Sequence, residues 1–248
     1  MRLRAVPLLI LIVLVGIAAN LIVEYAARQR QDWPAWIYLA RAVALGAIAF
    51  PAVYAFYEAD RRSKAAEAAR RKSEGQDYLR GVLESTIRIL FPSEKLTFIR
   101  ANVMVVDGDE LKVLCGWNME AFPDSRLSLK YGQGVAGKVW KRAQENPMNE
   151  CWLPVYAPNA QLEKEELATR WHLGEEVVRL TSHIIWILST PLFFREGRTW
   201  TFLGVWNLDG VERRLDLMDV LEDPEFHLKC VAAAENIAAV IAERGLLG

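Results

Sequence analysis

The chain has 248 residues, 52% of them hydrophobic and 25% charged, with a formal net charge of -1. That balance excludes a disordered polar chain and a strongly basic nucleic-acid binder, and it gives no reason to expect nucleic acid as a partner. Cys115, Cys151 and Cys230 are widely spaced with no paired motif, so neither a disulfide framework nor a zinc ribbon is supported, and isolated thiols fit a reducing compartment.

Two apolar stretches open the chain, Ala5 to Val23 and Trp33 to Tyr57. About 20 apolar residues suffice to cross a hydrocarbon core of roughly 30 Å, and the first stretch carries no charge. The second holds Arg41 and Pro51, which a membrane helix tolerates where the cation and the backbone find partners, so both are marked as membrane or functional positions. Residues 1–57 are therefore expected to form a two-span transmembrane hairpin in the lipid bilayer. Arg2 and Arg4 precede it and Arg61, Arg62, Lys64, Arg70, Arg71 and Lys72 follow it, which places both termini and the C-terminal domain on the cytoplasmic side of the inner membrane. A cleaved secretory signal is the rival reading of the first stretch, although its apolar run is longer than a signal core. Arg41 either pairs with Glu24 or snorkels to the outer headgroups.

Residues 58–75 are rich in Ala, Arg, Lys and Glu and predict a basic helical linker, which contacts anionic lipid or serves orientation alone. Gly75 is expected to interrupt it. Asp77 to Leu90 resumes with Leu79, Val82, Leu83, Ile87 and Leu90 at helical spacing, stopped by Phe91 and Pro92. Phe98 to Val106 alternates, with Ile99, Ala101, Val103 and Val105 on one face and Arg100, Asn102 and Met104 on the other, and the turn Asp107-Gly108-Asp109 leads into a second alternating run to Asn118. Gly134 to Ala143 predicts a helix entered through a glycine-rich turn. Ile184 to Phe194 and Thr199 to Leu208 flank Glu196 and Gly197 as a second hairpin, and Phe226 to Ala242 closes the chain as an amphipathic helix. Helix, hairpin, helix, hairpin, helix predicts an α+β class, an antiparallel sheet flanked by helices over residues 76–248.

Four strings carry a family resemblance: Phe98-Ile-Arg-Ala-Asn-Val-Met-Val-Val-Asp-Gly, the turn Tyr131-Gly-Gln-Gly-Val-Ala-Gly, the pair Ile187-Leu-Ser-Thr-Pro-Leu and Leu203-Gly-Val-Trp-Asn-Leu, and the Ala-rich last helix. In this order and spacing, over Gln76 to Leu246, they resemble a GAF domain. The resemblance implies a small-molecule pocket on one sheet face under a lid of middle helices, with the first and last helices packed on the other face and often forming a homodimer. Pro147 to Ser182 departs from the family pattern and reads as an enlarged lid.

On that sheet face, Arg100, Asn102, Trp117, Trp152, Tyr156, Ser189 and Asn207 form the expected ligand-binding set, suited to a planar, partly polar molecule. A buried Arg100 would favour an anion such as a nucleotide, whereas an exposed Arg100 would be a solvated strand residue. The run Gly132-Gln-Gly-Val-Ala-Gly-Lys-Val nearly reproduces a phosphate-binding loop, but Val139 stands where a magnesium-holding Ser or Thr is needed. No serine, histidine or acid spacing suggests a triad or paired carboxylates, and no cofactor or metal is named by the residues. The expected function is a membrane-anchored cytoplasmic sensor or signalling module without catalysis of its own, binding a small molecule or protein and passing its output to another protein. The alternative is a ligand-gated membrane effector whose hairpins oligomerise and permeabilise the bilayer. A third reading is the GAF-type free methionine sulfoxide reductase, with Cys115 and Cys151 as the thiols.

Overall fold

The structure, a computed structural model, describes separate residues between 14 and 28, then residues 35–92, 96–145, 152–157, 169–212 and 214–247. Contacts divide the chain into two units, Met1–Arg71 and Lys72–Gly248.

In the first unit the described residues are helical, and the helix α1 spans Ala35–Leu90, 56 residues that extend into the second unit. Along residues 58–71 it is laced with i,i+4 ion pairs such as Glu58–Arg62 and Asp60–Lys64 on exposed faces. Among the described residues no helix is long and apolar enough to cross a membrane. This overturns the expected two-span transmembrane hairpin and the inner-membrane location. The physical reason lies in α1 itself: the second apolar stretch, already broken by Arg41, is the opening of one helix that continues through Pro51 into the charged run after Tyr57. Most of Ala5 to Val23 lies outside the described residues.

The second unit begins with the last turns of α1. Gly75 does not interrupt the helix. A Cβ there would lie 2.5 Å from the Leu246 side chain, so its glycine admits the C-terminal turn of the chain instead of breaking the helix. The helix ends where Phe91 N–H bonds to the Ile87 carbonyl and Pro92 removes the next donor.

Six antiparallel strands follow: β1 (Ile99–Asp107), β2 (Glu110–Trp117), β3 (Ser128–Lys130), β4 (Val155–Ala157), β5 (Trp186–Glu196) and β6 (Thr199–Gly210), in the order β3-β2-β1-β6-β5-β4. The turns joining β1 to β2 and β5 to β6 hold Gly108 and Gly197 at φ 66 and 62, a conformation only glycine adopts cheaply. Helices α2 (Gly134–Glu145), α3 (Glu175–Thr181), α4 (Leu215–Glu222) and α5 (Pro224–Glu243) complete the unit. Asp223 caps α5 by accepting from the Glu225 amide, with Pro224 at the first helical position.

The two sheet faces are built differently. Ile99, Ala101 and Val103 of β1, with Trp186, Leu188, Trp206 and Leu208 of β5 and β6, pack against Leu79, Leu83 and Ile87 of α1 and Cys230, Ala234, Ile237 and Ile241 of α5. All are buried. On the opposite face Met104, Leu111 and Val205 pack beneath Ala136, Val139 and Trp140 of α2. That second layer covers only part of its face, and the remainder is the site described next.

Candidate ligand site

Strand pleat and register place polar residues in rows across the uncovered part of the sheet. Arg100 stands opposite Asp209, and Asn102 opposite Asn207, which in turn stands opposite Ser189. Ser189 Oγ donates to Asn207 Oδ1 at 2.6 Å, and Asn207 Nδ2 donates to Asn102 Oδ1 at 2.8 Å, so three strands are tied by one buried polar ladder.

Arg100 is fully buried. Its Nε donates to Asp209 Oδ1 at 2.6 Å, and Nη1 and Nη2 donate to the two Asp124 oxygens at 3.2 and 2.9 Å. Asp124 comes from the 3-10 turn Pro123–Arg126, so this fork pins the loop after β2 onto the sheet. Nη1 also lies 2.7 Å from His183 Nε2. A guanidinium only donates, so Nε2 accepts and the imidazole is neutral with its proton on Nδ1. Burial and the Arg100 charge both hold the His183 pKa below its ordinary value, against the pull of Asp124. Phe122 completes the cluster, its ring stacked on His183 at 4.7 Å between centroids and lying 4.4 Å from the Arg100 guanidinium carbon.

For Arg100 burial opposes the charge, but Asp209 and Asp124 outweigh it and leave the guanidinium more firmly protonated than in water. For Asp209 the balance runs the other way: burial dominates Arg100 and pushes the carboxyl up to about 6. Asp209 Oδ2 has no hydrogen-bond partner among the described residues.

Beside the ladder is a cavity of about 80 Å³ whose floor includes Asn102, Asn207 and Asp209. Met104, Leu129, Ile187 and Ile184 continue the floor and one wall, and Val135, Trp171, Leu173 and Val177 form the cover. Gly134 opens α2 at φ 65, and a Cβ there would sit 3.2 Å from Leu173, so the glycine both turns the chain and keeps the cover seated. Trp171 is buried with Lys138 Nζ 4.4 Å above its ring.

Of the residues expected to bind a ligand, Arg100, Asn102, Ser189 and Asn207 are gathered on this face. The three aromatics are not. Trp117 and Tyr156 pack against the core on the opposite side, and Trp152 packs at a tilt on Phe193, beside Ala143 of α2, and edge-on to Trp200, away from the cavity. Neither of the alternatives for Arg100 describes it, because the residue is buried and its charge is already matched by two carboxylates. Sequence reasoning missed Asp124, Asp209, His183 and Trp171. Asp209 had a signal, being one acidic residue at the end of an apolar strand that alternates into register with Arg100.

The glycine turn is no phosphate cradle. Its amides at Gly132, Gln133 and Gly137 donate to the carbonyls of Gly137, Lys130 and Gln133. Burial raises the Cys115 thiol to about 12, which keeps it protonated and unreactive, and Cys151 lies outside the described residues. Among the described residues no group of three His, Cys, Asp or Glu side chains has a metal-holding arrangement.

No protein-family profile matches the chain, and no curated protein matches it. Several solved structures do. A GAF domain/HD domain protein from Geobacter sulfurreducens is 12% identical, covers 71% of this chain and 99% of its own, with a TM-score of 0.46. The A. aeolicus nlh2 GAF domain in an inactive state is 14% identical over 71% of this chain and 98% of its own, TM-score 0.42. The GAF domain of a phosphoenolpyruvate-protein phosphotransferase from Coxiella burnetii is 16% identical over 66% and 93%, TM-score 0.41. The sheet order and flanking helices of residues 72–248 are those of the antiparallel, helix-flanked sheet that the four sequence strings imply, and these similar solved structures are GAF domains.

Proposed function

We propose that the GAF-like unit is a sensory signalling module that takes a small molecule into the cavity between the sheet and the cover formed by α2, α3 and Trp171. One observation carries this reading: the sheet face toward α1 and α5 is filled by interlocking apolar side chains, while the opposite face leaves a void beside buried, hydrogen-bonded polar groups. Buried polar groups are costly unless they hold one another or a ligand, and a lined void with a few convergent polar atoms is the usual form of a small-molecule site. The roles are binding roles. Asn102, Asn207 and Ser189 orient the floor, the Arg100–Asp124 fork fixes the loop that borders it, and Trp171 with Leu173 closes it.

Native mass spectrometry of the full chain purified under non-denaturing conditions tests the proposal. The expected result is a retained small molecule that is lost in Leu173→Trp, where the indole fills the void. A wild-type mass equal to the bare chain, together with no small-molecule response in a thermal-shift screen, would overturn it.

A further inference from the structure

The charge count around the cavity identifies what it lacks. Arg100 supplies one positive charge, Asp124 and Asp209 supply two negative ones, and His183 is neutral because its Nε2 accepts from Arg100. Asp209 is fully buried, lines the cavity, and uses only Oδ1; Oδ2 has no partner among the described residues. A buried carboxylate oxygen without a donor is among the costlier groups a fold retains, and it is rare without a ligand, ion or water to meet it. The Arg100 charge is fully engaged with its two carboxylates, so the cavity holds no spare cation to attract a phosphate or carboxylate. Most of the rest of its lining is apolar: Met104, Leu129, Trp171, Leu173, Val177 and Ile187 among others.

Resting on the cavity reading above, we infer that the ligand of this site is a small apolar amine, bound as its ammonium ion with an N–H donating to Asp209 Oδ2 and its hydrocarbon body under Trp171 and Leu173. The ammonium brings the local charge to zero and satisfies the one acceptor the protein leaves open. Hydrocarbon bulk displaces water from the apolar cover. A doubly charged or strongly hydrated amine would have to shed water against those apolar walls, so the site selects monoamines.

The test uses the full chain and three probes of one shape: benzylammonium, toluene and benzoate, titrated by calorimetry and by Trp fluorescence. The inference expects benzylammonium to bind at least tenfold more tightly than toluene, benzoate to be rejected, and Asp209→Asn to bring benzylammonium down to the toluene level. Because Asp209→Asn also loosens Arg100, the wild type provides a second readout. Benzylammonium stays protonated throughout the range, so its affinity should fall about tenfold from pH 8 to pH 5 as Asp209, with a carboxyl at about 6, takes up a proton. Benzoate or toluene binding as tightly as benzylammonium, or affinity unchanged across that range, overturns the amine assignment and leaves the cavity reading standing. Failure of all three probes to bind overturns the amine assignment, and the cavity reading falls with it only if the wild-type mass is that of the bare chain and the thermal-shift screen is silent.

Discussion

The two faces of one sheet show how a fold separates stability from recognition. On the face toward α1 and α5, Leu83, Ile87, Trp206 and Ile237 are wholly buried and interlock as one apolar core. On the other face Arg100, Asn102, Asn207 and Asp209 are also buried, yet each is there to hold another polar atom, and a cavity lies beside Asn102, Asn207 and Asp209. Close packing resists change because every lost contact counts. A polar ladder beside a void stores no such redundancy, and that is what lets a third molecule complete it.

The sharpest way to separate the faces is to damage the packed one. Trp206→Ala should cost about 3–5 kcal/mol in urea unfolding, the loss expected when a large aromatic leaves a rigid core. A loss below about 1 kcal/mol would mean that this face is not the structural one. Asp124→Ala removes the bidentate partner of a buried guanidinium and should cost about 3 kcal/mol, since breaking one side of a buried pair strands the other charge. If Asp124→Ala is neutral, the fork does not anchor the loop after β2. Gly134→Ala is expected to cost about 1–2 kcal/mol, from the positive φ and from a Cβ 3.2 Å from Leu173, and to weaken any cavity ligand at the same time. Unchanged stability and binding would show that the cover is not seated on α2.

Much of this contrast was legible in the residues. Alternation in Phe98 to Val106 separated Ile99, Ala101 and Val103 from Arg100, Asn102 and Met104, and the structure keeps that division on two faces. Period-two patterning fixes side, and side was enough to group Arg100 and Asn102 with Ser189 and Asn207. The aromatics failed because composition says nothing of where each ring is set: Trp152 is drawn to Phe193 and Trp200, and Tyr156, opposite Leu188 in the short strand β4, to the core. Asp124 and His183 were illegible for a related reason, since they meet Arg100 from separate loops 24 and 83 residues away in sequence. The short strands β3 and β4 carry three residues each, too few for any periodicity. The transmembrane expectation, drawn from the local hydropathy of Ala5 to Val23 and Trp33 to Tyr57, is overturned because no helix among the described residues is long and apolar enough to cross a membrane.

A smaller effect follows from titration. In the fold the Asp209 carboxyl stands at about 6 against an ordinary 3.8, so the folded state holds that proton more tightly than the unfolded one. Its stability contribution is complete below about pH 4 and is lost as pH rises through about 6. The melting temperature of the wild type should therefore fall relative to Asp209→Asn across that window, and a rise would reverse the assignment of Asp209 as a desolvated acid.

The most direct test of the central claim, that one face is built to receive a molecule and the other is not, uses the methionine methyl groups as reporters. Met104 and Met119 line the cavity, while Met218 sits in α4 beside Leu217 and Leu221 of the packed core. Carbon-13 methyl spectra of the full chain titrated with benzylammonium should show saturable shifts at Met104 and Met119 and none at Met218. Shifts at Met218 without any at Met104 and Met119, or no saturable shift at all, would contradict it.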